Sequence, residues 1–151
     1  VHAISLPPGE YGGNYVQQLF TNQLDAGIHE YFLQIHEMRV SAHCFIDREG
    51  VLQQFVSFLD TAWHAGVSCW ESETDCNDFS IGIELEGCDE EPFETVQYEQ
   101  LAKLVIRLRQ QYPSISRQAI CGHSDIAHGR KTDPGPHFDW QKLESLVQNL
   151  S

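Results

Sequence analysis

A chain of 151 residues, 41% apolar and 21% charged, is long enough to bury a hydrophobic core without staples and has the composition of a folded protein. Its 22 Asp and Glu against nine Lys and Arg give a formal charge of −13, which excludes nucleic acid, anionic lipid and intact anionic polymers as main partners and leaves any anionic ligand to a few local cations. No apolar run approaches membrane-spanning length, and five scattered cysteines (Cys44, Cys69, Cys76, Cys88, Cys121) without a Cys-x-x-Cys pair fit a reducing compartment better than a disulfide framework.

The chain opens on Val1 without an initiating methionine, so the expectation is that a segment upstream has been removed or left out. Residues 1–5 read as the end of a strand, followed by the loop residues Leu6-Pro7-Pro8-Gly9 and Gly12-Gly13. Residues 14–20 predict a short helix, and 21–39 are too mixed to assign. From 40 to 46 the chain alternates Val40, Ala42, Cys44 and Ile46 against Ser41, His43 and Phe45. A turn at 47–50 and a second strand over 51–58 complete a hairpin. Residues 63–78 read as loop. Residues 79–86 form the next strand, with Ile81, Ile83 and Leu85 on one face and Ser80, Gly82, Glu84 and Glu86 on the other. The clearest helix spans 94–112, where Tyr98, Leu101, Ala102, Val105, Leu108 and Tyr112 make an amphipathic face that Pro113 ends. A short strand over 118–121 leads into a loop, and Asp139 caps a last helix that turns Leu143, Leu146, Val147 and Leu150 inward. This order predicts one α/β domain over residues 1–151, with a mixed central sheet flanked by helices.

The loop from Gly122 to Pro136 carries the densest chemistry, with His123, His128, Asp125, Asp133, Arg130 and Lys131 among three glycines and two prolines. Asp133 and Gly135 each precede a proline, which favours extended backbone; residues two apart then project together, placing Lys131 beside Asp133. A catalytic zinc site wants three protein ligands and an open position. His123 and Asp133 can supply two, and His2, at a strand end, can supply the third, although a terminal exposed histidine is the blander reading of that residue. A competing reading builds a structural zinc site from Cys121, His123, His128 and His137, without the Cys-x-x-Cys that usually accompanies it. Glu84 is the candidate general base, or else an ordinary carboxylate on a solvent-facing strand surface. His43, in a strand, and His64, beside a tryptophan, fit hydrogen-bonded packing roles better than ligand roles. Trp63 could stack on a sugar or be buried in the core, and Arg39 could hold a substrate carboxylate or pair with Glu37 or Asp47. No Gly-x-Ser-x-Gly elbow or phosphate-binding glycine loop is present. His43 and Cys44 point to opposite strand faces and make no thiolate–imidazole pair.

Five separated stretches carry a resemblance: 1–10 (VHAISLPPGE), 40–44 (VSAHC), 63–66 (WHAG), 76–87 (CNDFSIGIELEG) and 122–136, with its Gly122-His123 and Lys131-Thr132-Asp133-Pro134-Gly135-Pro136. Together, and in this order, they resemble the zinc N-acetylmuramoyl-L-alanine amidases, relatives of the phage lysozyme-type amidases and peptidoglycan recognition proteins. The resemblance implies one zinc ion on His2, His123 and Asp133, Glu84 as general base and Lys131 as electrophile, with Arg39, His43 and Trp63 as substrate contacts. It implies a muropeptide substrate, cleaved between N-acetylmuramic acid in its 1,6-anhydro form and L-alanine, in bacterial cytoplasmic cell-wall recycling by a monomer. A non-catalytic muropeptide-binding module on the same fold is the alternative. Two departures stand out: Ala3 replaces the family's usual asparagine after the first ligand, and 71–75 (ESETD) is acidic where relatives tend to be basic.

Overall fold

The computed structural model describes residues 1–150. Four short strands make the central sheet: β1 (His2–Ile4), β2 (Cys44–Ile46), β3 (Leu52–Gln54) and β6 (Ile83–Glu86), in the order β1-β6-β2-β3. β6 runs parallel to both β1 and β2, and β3 closes one edge as the antiparallel arm of the predicted hairpin. The sheet is mixed, as the alternation of strand and helix signals implies.

Both faces of this sheet are covered. Cys44, Ile46, Ile83 and Leu85 pack against the helices α3 (Thr95–Gln111) and α5 (Trp140–Leu150), through Leu101, Ala102, Val105, Leu143 and Val147. Leu146 is half-buried at the margin of that cluster and Leu150 is exposed, so the inward stripe of α5 is narrower than its sequence suggests. Asp139 accepts the Lys142 N–H at 2.9 Å, the expected cap of α5. Gln97, fully buried in the first turn of α3, donates to the carbonyls of Ile46 (3.2 Å) and Glu86 (3.0 Å) and pins the helix to the ends of β2 and β6. The opposite face packs Phe45 against α1 (Tyr15–Phe20) and α2 (Phe32–Ile35), through Val16, Leu19, Phe20 and Phe32. α2 falls in the stretch whose sequence pattern gave no assignment.

The strands are shorter than the alternation predicts because neighbouring backbone bonds elsewhere. The Gly82 N–H donates to His43 Nδ1 (3.0 Å) rather than to a ladder carbonyl, so β6 begins only at Ile83. Residues 63–78 are not all loop: β4 (Cys69–Trp70) pairs with β5 (Glu73–Thr74), and a 3-10 turn follows at Cys76–Asp78. No strand forms at 118–121. There the chain meets the start of β1 through two hydrogen bonds, from the Val1 amino group to the Cys121 carbonyl (2.8 Å) and from the His123 N–H to the Val1 carbonyl (3.1 Å), too few for a ladder. Those two bonds nonetheless set His123 beside His2. The segment that follows contains a short helix, α4 (His123–Ile126), and Gly135 sits at φ +84°, left-handed rather than extended, with its Cα against Asp89 where no side chain fits.

Candidate metal centre

His2 is buried in β1, and its register partner across β6 is Glu84. Register partners project to the same face of a sheet, so the imidazole and the carboxyl share one surface. Asp133 is drawn over that surface by its carbonyl, which accepts the Ser124 N–H of α4 at 3.0 Å. His2 Nδ1 then lies 3.3 Å and His123 Nδ1 3.1 Å from Asp133 Oδ2. Ligand atoms of these three residues all fall within 4.8 Å of one another. Among the described residues this is the one group of such side chains close enough to share an ion. The alternative set is not assembled, since His128 and His137 are exposed and separate from it.

The donor set fits a cation on hydrogen-bonding grounds alone. His123 Nε2 lies 2.9 Å from the Ala65 carbonyl, which can only accept, so the ring proton sits on Nε2 and Nδ1 presents a lone pair to Asp133. A longer relay fixes His2 in the same sense. The Ser80 hydroxyl donates to the Cys76 carbonyl, His64 Nε2 donates to Ser80 Oγ (3.5 Å), and His2 Nε2 donates to His64 Nδ1 (3.0 Å). That leaves His2 Nδ1 as a second lone pair. Two imidazole lone pairs and a carboxylate oxygen converging at about 3 Å are complementary to a positive charge, and ring N–H groups bonded outward are the usual second layer of a metal site.

Electrostatics prepare the same state. Burial drops His2 to about 3, so the ring is neutral at ordinary pH. A neutral imidazole and an ionised carboxylate are the forms that bind metal.

Glu84 stands beside this group as a buried carboxyl whose Oε2 has no hydrogen-bond partner among the described residues. Burial, then the Asp133 charge, raise it to about 8, against the pull of the Val1 amino group and the Lys131 ammonium. The contrast with Glu86 two residues on is decisive. Glu86 accepts the Gly12 N–H at Oε1 (2.6 Å) and the Arg48 N–H at Oε2 (3.0 Å), so it is structural, whereas Glu84 retains a free oxygen. Lys131 is exposed, with its charge felt at Glu84. A cavity of about 470 Å3 runs along His2, His64 and His123, but Glu84, Lys131 and Asp133 do not line it.

The expected substrate contacts fare unequally. His43 is buried and both ring nitrogens are occupied, by the Asp60 carbonyl and the Gly82 N–H, which leaves neither free for a further hydrogen bond. Trp63 is 59% exposed, which overturns the core reading. Arg39 is also exposed and donates to Asn22 Oδ1 (2.8 Å), not to Glu37 or Asp47. The space that Gly82 leaves against the sheet is taken by the His64 ring, which a Cβ at Gly82 would overlap. Sequence reasoning left His64 among the packing histidines; its partner His2 is 62 residues away, and only the small residue at Gly82 hinted at a ring lying over that strand.

In metal-free protein these shifts predict that stability falls as pH drops below about 6.5. His2, at about 3, and His64, lowered by burial to about 2, take up protons on unfolding, so acid below 6.5 destabilises the folded state. Glu84, raised to about 8, loses its proton on unfolding above 4.5 and so works against the histidines, while the Val1 amino group, lowered by burial, takes up a proton on unfolding below 8 and offsets it. Two histidines outweigh one carboxyl on the acid side. Urea midpoints of chelated protein should fall as pH drops from 6.5 toward 4.5, and Glu84→Gln should steepen that fall by removing the opposing carboxyl; an unchanged pH dependence in that variant would mean that Glu84 is not shifted.

A buried acid facing a three-residue ion-binding group on a mixed sheet is the arrangement of a metal-dependent hydrolase. The model of the N-acetylmuramoyl-L-alanine amidase family matches residues 12–136, a span that holds Glu84, His123, Lys131 and Asp133. The chain belongs to that family and is an amide hydrolase. It is 51% identical over 148 residues to the 1,6-anhydro-N-acetylmuramyl-L-alanine amidase AmpD of Haemophilus influenzae, covering 98% of this chain and 80% of that one. A crystal structure of a selenomethionine AmpD derivative superposes with a TM-score of 0.94 at 51% identity, over 97% of this chain and 81% of that one. The Escherichia coli amidase AmiD, solved with anhydro-N-acetylmuramic acid-L-Ala-D-gamma-Glu-L-Lys, gives 0.66 at 34% identity, over 78% and 51% of the respective chains.

Proposed function

We propose that this protein hydrolyses the amide between 1,6-anhydro-N-acetylmuramic acid and L-alanine in muropeptides, with one zinc ion held by His2, His123 and Asp133. The observation that carries this reading is the unpartnered Oε2 of Glu84 on the surface where the three ligand atoms converge. When bound, such an ion makes water nucleophilic near neutral pH, polarises the scissile carbonyl and draws the Glu84 carboxyl back toward its ionised form. Glu84 Oε2 takes the proton of the attacking water and returns it to the leaving L-alanine nitrogen. Lys131 Nζ meets the negative charge that develops on the carbonyl oxygen. Exposed Trp63 and Arg39 are the proposed contacts for the sugar ring and a stem-peptide carboxylate.

The proposed setting is the cytoplasm. The five cysteines are free thiols, as a reducing compartment favours, and no helix among the described residues is long and apolar enough to cross a membrane. Ligands, base and lysine all come from one chain, which supports action as a monomer.

Mass spectrometry of an anhydro-muropeptide digest tests the reaction. The expected products are anhydro-N-acetylmuramic acid and the free stem peptide, abolished by chelation and restored by zinc. Cleavage that survives complete chelation would remove the metal from the reading, and binding without cleavage would favour a non-catalytic module. Lys131→Ala should lower kcat by about 10²–10³-fold with zinc content unchanged; a rate within a few-fold of wild type would place the oxyanion elsewhere.

A further inference from the structure

One dipeptide serves both ligand histidines. The side chain of His64 accepts the outward N–H of His2 (3.0 Å), and the carbonyl of Ala65 accepts that of His123 (2.9 Å). Both backbone N–H groups of the dipeptide go to a single atom. Asn77 Oδ1, in the 3-10 turn, accepts the N–H of His64 at 2.9 Å and that of Ala65 at 2.8 Å. Its placement is further limited on two sides. Arg130 Nη2 clamps the carbonyls of Ala65 (2.6 Å) and Val67 (2.7 Å), and the bare backbone of Gly82 receives the His64 ring. The chain of contacts therefore runs from one carboxamide oxygen, through two adjacent residues, to both imidazoles.

We infer that Asn77 is a positioning residue for the metal centre: it sets the His64–Ala65 dipeptide so that both histidine ligands are locked in the tautomer and orientation that presents Nδ1 to the ion. The inference rests on His2, His123 and Asp133 being the ligands. Asn77 touches neither ion nor substrate. Its effect is on affinity, because rings free to rotate or to shift the ring proton must be reorganised before they bind, and losing such outer partners typically weakens metal binding 10–100-fold. An ordinary loop-stabilising asparagine would instead lower the stability of metal-free and metal-loaded protein alike and leave affinity unchanged.

The test is zinc affinity of the whole chain, measured by competition with a chromophoric chelator, alongside the unfolding midpoint of the metal-free form. Asn77→Ala should weaken zinc by 10–100-fold, and Asn77→Asp, whose carboxylate can accept both N–H groups, should return affinity to within a few-fold of wild type. Wild-type affinity in Asn77→Ala overturns the inference. Equal loss in Asn77→Ala and Asn77→Asp also overturns it, since the paired acceptor would then not be what matters. If Asn77→Ala does not fold, His64→Phe removes one arm and keeps both backbone bonds to Asn77; unchanged zinc affinity there is equally fatal. Asp133→Ala separates the two levels, because retention of wild-type zinc affinity in that variant refutes the ligand assignment itself.

Discussion

Glu84→Gln is expected to leave the protein folded and able to bind zinc while lowering kcat by about 10²–10⁴-fold, the range that a positioned acid–base group contributes. The amide side chain keeps the shape of the carboxyl but cannot take a proton from water or return one to the leaving amine. Burial and the Asp133 charge raise this acid to about 8 in the protein without metal. A base needs its ionised form, so loading the neighbouring site with a cation and activating the base are coupled by charge. Turnover on an anhydro-muropeptide, read beside bound zinc, checks this. Loss of rate with full zinc occupancy is the expected result. A rate near wild type removes Glu84 from the mechanism, and loss of zinc along with rate would make it a ligand or a structural partner of one.

The same residue shows how far the sequence could be read. Alternation along 79–86 sorts Ile83 and Leu85 from Glu84 and Glu86, and the structure keeps that sorting. Periodicity says which side chains share a face, however, and not whether the face is covered. Part of the covering, over Phe45, comes from α1 and α2, and α2 lies in the stretch 21–39 that carries too weak a pattern to assign. Glu84 and Glu86 are therefore indistinguishable in the sequence, and only the backbone donors Gly12 and Arg48 on Glu86 tell them apart. The long helix α3 was legible because its apolar periodicity and the stop at Pro113 point to the same element. The β4–β5 pair was not, since two-residue strands with mostly exposed side chains leave no periodic trace. His2, His123 and Asp133 could be proposed from residue type and resemblance, but their convergence depends on contacts between positions 120 residues apart, such as that of Val1 with Cys121. The outer ring of His64, Ala65, Asn77 and Arg130 is further from view, because most of its hydrogen bonds have at one end a backbone atom that any residue carries.

Asp133→Ala should abolish the stabilisation that zinc confers. With free zinc at about a thousand times Kd, binding to the folded state alone adds about 4 kcal/mol, which in a domain of this size raises Tm by roughly 8–16 °C. Asp133 supplies the one anionic ligand, and its Oδ2 is the atom that both imidazoles face, at 3.3 and 3.1 Å. Without it, two neutral rings remain, with no charge to offset dehydration of a divalent ion, so the thermal shift should fall to a few degrees or less. The variant should still fold when metal-free, because Asp133 is tied to α4 through its backbone carbonyl, which alanine retains. Thermal unfolding with and without zinc, on wild type and variant, gives the answer. A full shift in Asp133→Ala would mean that the ion is held by other groups, and the assignment of the metal centre would have to be abandoned.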